Sequence, residues 1–461
     1  MFELGTMTMH DHGRLGVLAL TLSTLAVAGC RADDAPTEIG DGDELAITYW
    51  QDVAPIYFEN CVSCHREGGI GPFVLDDYAS AAAWAPASAV AVDNRVMPPW
   101  LVTDDGSCNT WQGSRALSQA EIDTIVEWAD GGAIEGQPRD DLTVPELPKL
   151  EGGTPFVTPL FTPEPAGGAL AKFDEYRCFL IDPALDQDMF ITGYEVVPGN
   201  EALVHHALTS VIDPNLEVGE GVTNLDVITA LDQESPDRLG WPCFGIAGEG
   251  VEPSSLPATW APGQGIVNFP EGSGSRISAG NLLVIQIHYN MVDPTVIGQS
   301  DSTTVNLRLE SEVEREGVFD LVTGLINTLL EGDPHTLAPG NEAETFTYTF
   351  PAQTYIDWLG TDTVELWGFF PHMHERGTTM NVRVLDAQGE DAGCVADVPR
   401  WDFNWQLYYF YKQPIVLHGG QMIEVTCTYD TSADAEPIFP GWGTHNEMCL
   451  AGLYIVPPGK I

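Results

Sequence analysis

From residue 189 to residue 429 the chain returns again and again to short runs of alternating apolar and polar residues, separated by Gly, Pro and Asp. They read MFITGYEVV, ALVHHALTSVI, NLLVIQIHY, TTVNLRLES, TFTYTF, TVELWGFF, MNVRVL and QMIEVTCTY. A period of two puts successive side chains on opposite faces, so each run has one face to bury. Bounded by turn residues, in a chain with 47 Gly and 33 Pro, such runs predict strands of β-sandwiches or jelly rolls. About 290 residues of this kind exceed what one sandwich core holds, so two all-β units are expected, at 169–312 and 313–461.

The region before them reads differently. Cys61-Val62-Ser63-Cys64-His65 is a CxxCH pentapeptide. Two thiols at this spacing can add to porphyrin vinyls, and the adjacent His can take the iron, so one c-type haem is expected. Between residues 31 and 149 the only Met is Met97 and the only His is His65. Met97 is therefore the candidate second axial ligand; a five-coordinate haem with Met97 merely packing is the alternative. WQDVAPIYFENC has helical spacing, and Ser118 with Glu121 forms a capping box opening a helix through Trp128. Residues 45–138 thus resemble a small class I cytochrome c, an all-α domain.

At the N-terminus, Leu15 to Ala28 is an apolar stretch behind Arg14, too short for a typical membrane span and of signal-peptide length. It ends in Val27-Ala28-Gly29-Cys30. Residues 1–30 resemble a bacterial lipoprotein signal with lipid on Cys30; an ordinary signal peptide with an incidental Cys is the alternative. Either predicts export, to the periplasm or, with Arg31 after the Cys, the outer membrane, and membrane contact only through that anchor. Residues 31–44 read as an acidic tether, and the Pro-, Gly- and Thr-rich 139–168 as a linker.

Lys and Arg number 18 against 68 Asp and Glu, a net charge of −50. That balance excludes nucleic acid, whose phosphates need cations, and disfavours anionic lipid surfaces and anionic substrates.

The β-rich region concentrates histidines inside its strands. His205-His206 lie together in one, His288 in another, and His372-Met373-His374 end a third. Residues two apart share a strand face, so His372 and His374 can grip one metal while Met373 faces away. His205 and His206 face opposite sides of a regular strand and need a local twist or bulge to share one.

The order HH, QxHY, HxH and then Glu447-Met448-Cys449 resembles the type II copper, ascorbate-dependent monooxygenases, over roughly residues 169–458. The resemblance implies two coppers: one on His205, His206 and His288, the other on His372, His374 and Met448, where dioxygen is activated. A thioether beside two imidazoles suits Cu(I) better than zinc. It also implies disulfides Cys178–Cys243 and Cys427–Cys449. Cys108 and Cys394 are left, either as an interdomain bridge or as free thiols. In the peptidylglycine members an Arg two before HxH and a Tyr four after the Met hold the substrate carboxylate; Phe370 and Gly452 stand at those positions. The carboxylate clamp is missing, and Trp367, Phe369 and Phe370 either line a more apolar pocket or face the core. Gln286 matches the family pattern and shares the His288 face.

The expectation is therefore a multidomain chain, a small all-α cytochrome c-like domain followed by two all-β jelly-roll-like sandwiches. Its expected activity is hydroxylation of an aliphatic C–H bond of a small organic molecule with O2. Electrons would pass through the haem from an ascorbate-like reductant or a redox protein. A copper-binding or electron-transfer lipoprotein without oxygenase activity is the alternative. His335, His418 and His445 have no expected role.

Overall fold

The computed structural model describes residues 46–459 apart from 68, 70, 145–148, 166–172, 244–245 and 442–444. The signal peptide, Cys30 and the 31–44 tether lie outside the described residues. No helix among the described residues is long and apolar enough to cross a membrane.

The N-terminal part is helical. A π-helical turn over Tyr49–Val53 runs into α1 (Ala54–Asn60), followed by α2 (Tyr78–Asp93) and α3 (Gln119–Asp130). Ser118 caps α3 as expected: its hydroxyl accepts from the Glu121 N–H while the Glu121 carboxylate accepts from the Ser118 N–H. Tyr49, Tyr57, Val62, Ile125 and Trp128 are fully or almost fully buried in a core of their own.

All eight alternating runs are strands, and the sheets pair into sandwiches. Met189–Val197 and Thr304–Glu310 belong to one sheet of the N-terminal sandwich; Val204–Ile212 and Leu282–Asn290 belong to a five-stranded sheet opposite. Thr363–His372 lies centrally in one C-terminal sheet; Glu344–Pro351, Gly377–Leu385 and Met422–Tyr429 lie in the other. Within the 139–168 stretch, Gly153–Val157 is a strand paired antiparallel with Thr304–Glu310, and Phe156 and Phe161 are buried. Two apolar side chains in a Pro-rich stretch suffice to hold it against a sheet edge.

The two sandwiches are continuous across residue 312. Ser273–Ile277 pairs in parallel with Arg315–Thr323, joining one sheet from each into a nine-stranded sheet. One core cluster follows the seam, from Ile191 and Val305 through Phe269 and Phe319 to Phe410 and Tyr454. Phe319 stacks on Tyr454, with ring centroids 4.3 Å apart.

The helical part docks on the C-terminal sandwich through residues 100–112. Trp111 is fully buried, stacks on Tyr411 at 4.4 Å, and forms a β-bridge with it. The Thr103 N–H donates to the Asp397 carbonyl, and the Leu101 N–H to the Tyr409 hydroxyl. Cys108 is bonded to Cys394, closing this interface covalently, so these two are not free thiols. Cys178–Cys243 pins the edge of the five-stranded sheet, and Cys427–Cys449 ties the two sheets of the C-terminal sandwich. Three disulfides fit an oxidising compartment, in line with export.

Replacing Cys108 and Cys394 together by Ala should cost ~2–4 kcal/mol, since the bridge closes a very long loop. The effect should appear as an earlier thermal transition and faster amide exchange in residues 100–112. Unchanged exchange there would mean that packing alone secures the docking.

Candidate functional site

The first histidine group is made by a bulge. His288 faces His206 across the sheet, but the next pair is Tyr289 with Val204, so His205 is skipped. The extra residue breaks the strict alternation and turns both neighbours toward one side. The three Nδ1 atoms converge: His205 to His206 is 3.3 Å, His205 to His288 3.2 Å and His206 to His288 3.2 Å. Burial holds the pKa of all three below the usual imidazole value, and each other's proximity adds to this for His206 and His288. Neutral imidazoles with converging nitrogens form a group that could hold a metal ion. Supporting groups fix the rings. Tyr176 stacks on His288 at 4.0 Å, Asp174 Oδ1 stands 3.2 Å from His288 Nε2, and the Asn404 side-chain oxygen lies 3.1 Å from His205 Nε2.

The second group lies where the Thr363–His372 strand ends. His372 and His374 have ring centroids 5.1 Å apart, while Met373 between them is fully buried in the core. His372 Nδ1 meets Gln406 Oε1 at 2.6 Å, and His374 Nδ1 meets the Asn446 carbonyl at 3.0 Å. Both acceptors call for a proton on Nδ1, which puts the lone pair on Nε2. Burial lowers the His372 pKa to about 4.

Glu447 organises this corner from a fully buried position. Its carboxylate accepts the backbone N–H of His374 at 2.9 Å, of Arg376 at 2.8 Å and of Met448 at 3.3 Å. Desolvation raises its pKa to about 7 against these donors. One side chain thus ties the HxH turn to the segment bearing the Met, just before the Leu450–Val456 strand. The Tyr429 hydroxyl donates to the Met448 carbonyl, and Cys427–Cys449 holds the next residue.

One cavity of about 80 Å³ is lined by His206 of the first group and by His372, His374 and Met448 of the second. Its remaining wall is mostly apolar, including Leu208, Trp260, Leu321, Phe370 and Phe403, with Tyr176, Gln286 and Gln406 as polar members. Of the three aromatics read from sequence, only Phe370 lines it. Phe369 is in the core and Trp367 donates its indole N–H to Glu365. Phe370 and Gly452 are cross-strand partners, and a Cβ on Gly452 would come within 2.9 Å of the Phe370 Cβ. The glycine leaves room for the bulky neighbour. The Gln286 amide donates to the Ile246 carbonyl.

Loop 401–406, between two strands of the C-terminal sandwich, carries residues that the sequence reading missed. The Trp401 indole donates to the His374 carbonyl, Asn404 meets His205, Gln406 meets His372, and the Phe403 ring lies 6.5 Å from His205 and 6.1 Å from His374. Aromatics alternating with polar residues in WDFNWQ are the sequence signal of this role. His335 packs on Phe346, His418 is exposed and His445 stands 3.8 Å from Glu375, all apart from the cavity lining.

In the helical part, the His65 Nδ1 lies 3.1 Å from the Phe73 carbonyl. That contact assigns the proton to Nδ1 and the lone pair to Nε2, and Cys61 and Cys64 are unbridged. Met97 lines a separate cavity of about 850 Å³ between the helical part and the C-terminal sandwich.

The chain is similar to known copper monooxygenases. Residues 322–457 match the C-terminal domain of the copper type II ascorbate-dependent monooxygenases. The chain is 23% identical over 282 residues to a tyramine beta-hydroxylase of Caenorhabditis briggsae, covering 58% of this chain and 42% of that protein. It is 25% identical over 300 residues to the dopamine beta-hydroxylase of Canis lupus familiaris (62% and 43% covered), and 25% over 283 residues to that of Homo sapiens (59% and 41%). The chain spans less than half the length of these relatives. Together the matches support the copper monooxygenase family for the β-rich region.

Glu447→Ala should strand buried N–H groups at ~1–3 kcal/mol each. Copper should then be lost from the His372, His374 and Met448 set before the other, which metal analysis with electron paramagnetic resonance would resolve. Buried neutral histidines also set a pH dependence. Below about 6.5 the unfolded chain takes up protons that the folded imidazoles refuse, so metal-free stability should fall from about 6.5 down to about 4. Thermal melts across that range, repeated on His372→Gln, should show a shallower fall in the variant; identical profiles would remove His372 as a source.

Proposed function

We propose that the chain is an exported copper monooxygenase. In this reading it hydroxylates an aliphatic C–H bond of a small, largely apolar, non-anionic organic substrate with O2, and draws electrons through a c-type haem on the same polypeptide. The observation that carries the reading is the single cavity lined by members of two preorganised histidine groups, one of them with a thioether.

His205, His206 and His288 would hold one copper through their Nδ1 atoms; His372, His374 and Met448 would hold the second. Copper bound at these sites supplies one-electron chemistry and, beside the thioether, dioxygen activation. The chain's own part is positioning. Asn404 and Gln406 orient one ring in each group, and Glu447 keeps His374 and Met448 on a common backbone frame. Leu208, Trp260, Leu321 and Phe370 exclude water and present an apolar wall to substrate. With Phe370 and Gly452 where the peptidylglycine enzyme holds a carboxylate, and a net charge of −50, an anionic substrate is disfavoured.

Cys61, Cys64 and His65 fit a c-type haem. Both thiols are unbridged, the His tautomer is the one iron requires, and Met97 borders a cavity of about 850 Å³. Such a haem supplies an electron store refilled by an ascorbate-like reductant or a redox protein, and Cys108–Cys394 keeps that store attached to the copper-binding sandwich. Cys30 would carry a lipid, anchoring the enzyme to a bacterial membrane on its outer or periplasmic side.

With haem reduced anaerobically, copper-loaded protein should reoxidise its haem about tenfold or more faster than copper-free protein when O2 is admitted. Equal rates overturn the relay. Met448→Ile should abolish oxygenation while copper on the first group is retained; weakened Cu(I) binding alone, with no oxygenation in the parent either, would favour a copper-binding protein instead.

A further inference from the structure

Three adjacent strands, Arg315–Thr323, Leu450–Val456 and Thr363–His372, build one wall of the shared cavity. Leu321 and Phe370 both pair with Gly452, one from each side. A Cβ on Gly452 would stand 2.9 Å from the Phe370 Cβ and 3.2 Å from the Leu321 Cδ2. The glycine therefore lets the two side chains close over the strand between them into one hydrocarbon surface. His372, two residues on from Phe370 and on the same face, stacks alongside it with ring centroids 6.3 Å apart. A molecule lying on Leu321 and Phe370 is thus beside the second histidine group.

Nothing in this lining pairs with a charge. Among the described residues it holds no Asp, Glu, Lys or Arg. Glu447 faces the backbone N–H groups of His374, Arg376 and Met448, and Arg376 is paired with Asp434. Asp174 accepts the Asn290 amide beside His288, outside the lining. The amides of the lining are engaged as well. Gln406 meets His372 through Oε1 and donates to the Phe403 carbonyl, and Gln286 donates to the Ile246 carbonyl. Imidazoles and a thioether bring no negative charge, so copper held by them would repel an ammonium group nearby. The −50 of the chain draws cations to its surface, but solvent screens that field over about 8 Å at physiological salt. Stripping water from an unpartnered ammonium costs free energy inside the cavity, and aromatic faces offset only part of it.

We propose that the substrate is uncharged and hydrocarbon-like, its body seated on Leu321 and Phe370 beside His372. This rests on the proposed monooxygenase function and names its substrate class. In the reaction a C–H bond of that body becomes C–OH. One atom of O2 enters the product and the other leaves as water, with two protons from solvent and two electrons from the ascorbate-like reductant or redox protein.

The test uses the full-length, copper-loaded protein with ethylbenzene and benzylamine, probes of one shape that differ in a methyl against an ammonium group. Binding is read without reductant, from the concentration-dependent rise in melting temperature. Ethylbenzene should bind about tenfold more tightly than benzylamine, or better. Leu321→Asp places a carboxylate in the seat and should reverse that preference. Leu321→Asn, of the same size without the charge, should weaken ethylbenzene and gain nothing for benzylamine. Circular dichroism and copper content check the folding of each variant, and the parent's own preference decides the matter if either fails to fold. Benzylamine bound by the parent as tightly as ethylbenzene, or ethylbenzene not bound, overturns the uncharged substrate. A folded Leu321→Asp that still prefers ethylbenzene overturns the seat on Leu321. Ascorbate and isotope-labelled O2 then separate this inference from the function it rests on. Ethylbenzene bound but never labelled overturns the monooxygenase and leaves the apolar seat; benzylamine labelled in preference overturns the seat and leaves the monooxygenase.

Discussion

The parallel pairing of residues 273–275 with 315–317, and the apolar core that follows it, is what the site depends on. The His205, His206 and His288 group belongs to the N-terminal sandwich, and the His372, His374 and Met448 group to the C-terminal one. Each is held by its own sheet, and neither sheet by itself would form the shared cavity. Phe319, Phe410 and Tyr454 of one sandwich pack with Phe269 of the other, and this burial fixes the distance between the groups. Loop 401–406 adds a polar cross-tie, contacting a histidine on each side.

Electrostatically the molecule is divided. The chain carries −50, yet no carboxylate lines the shared cavity among the described residues. Of the acids near it, Asp174 stands beside His288, and Glu447 is buried and surrounded by backbone N–H donors. Negative charge serves the surface, while the cavity keeps neutral imidazoles, a thioether and aromatic walls.

Much of this was legible in local pattern. The eight alternating runs are strands because period two is set by backbone geometry alone. The Ser118 and Glu121 capping box is a contact over three residues, and Met373 packs inward because its neighbours face the cavity. The rest depends on contacts distant in sequence. Loop 401–406 is rich in aromatics for a loop, yet acquires its role only by folding over His205 and His372. Phe369 and Phe370 are adjacent aromatics, and only the facing of the completed sheet decides that the second lines the cavity. Cys108 and Cys394 are 286 residues apart, and nothing local to either reveals the other.

The sequence by itself determined the strands, the helix start at Ser118, the CxxCH pentapeptide and the inventory of soft and imidazole ligands, because each is a matter of residue type and short spacing. Tertiary structure decided the rest. It introduced the bulge that turns His205 and His206 to one side, placed Glu447 under both the HxH turn and Met448, and joined the helical part to the C-terminal sandwich. The physical reason is that side-chain direction follows from local dihedrals, whereas convergence of groups from distant strands follows from which apolar faces bury one another.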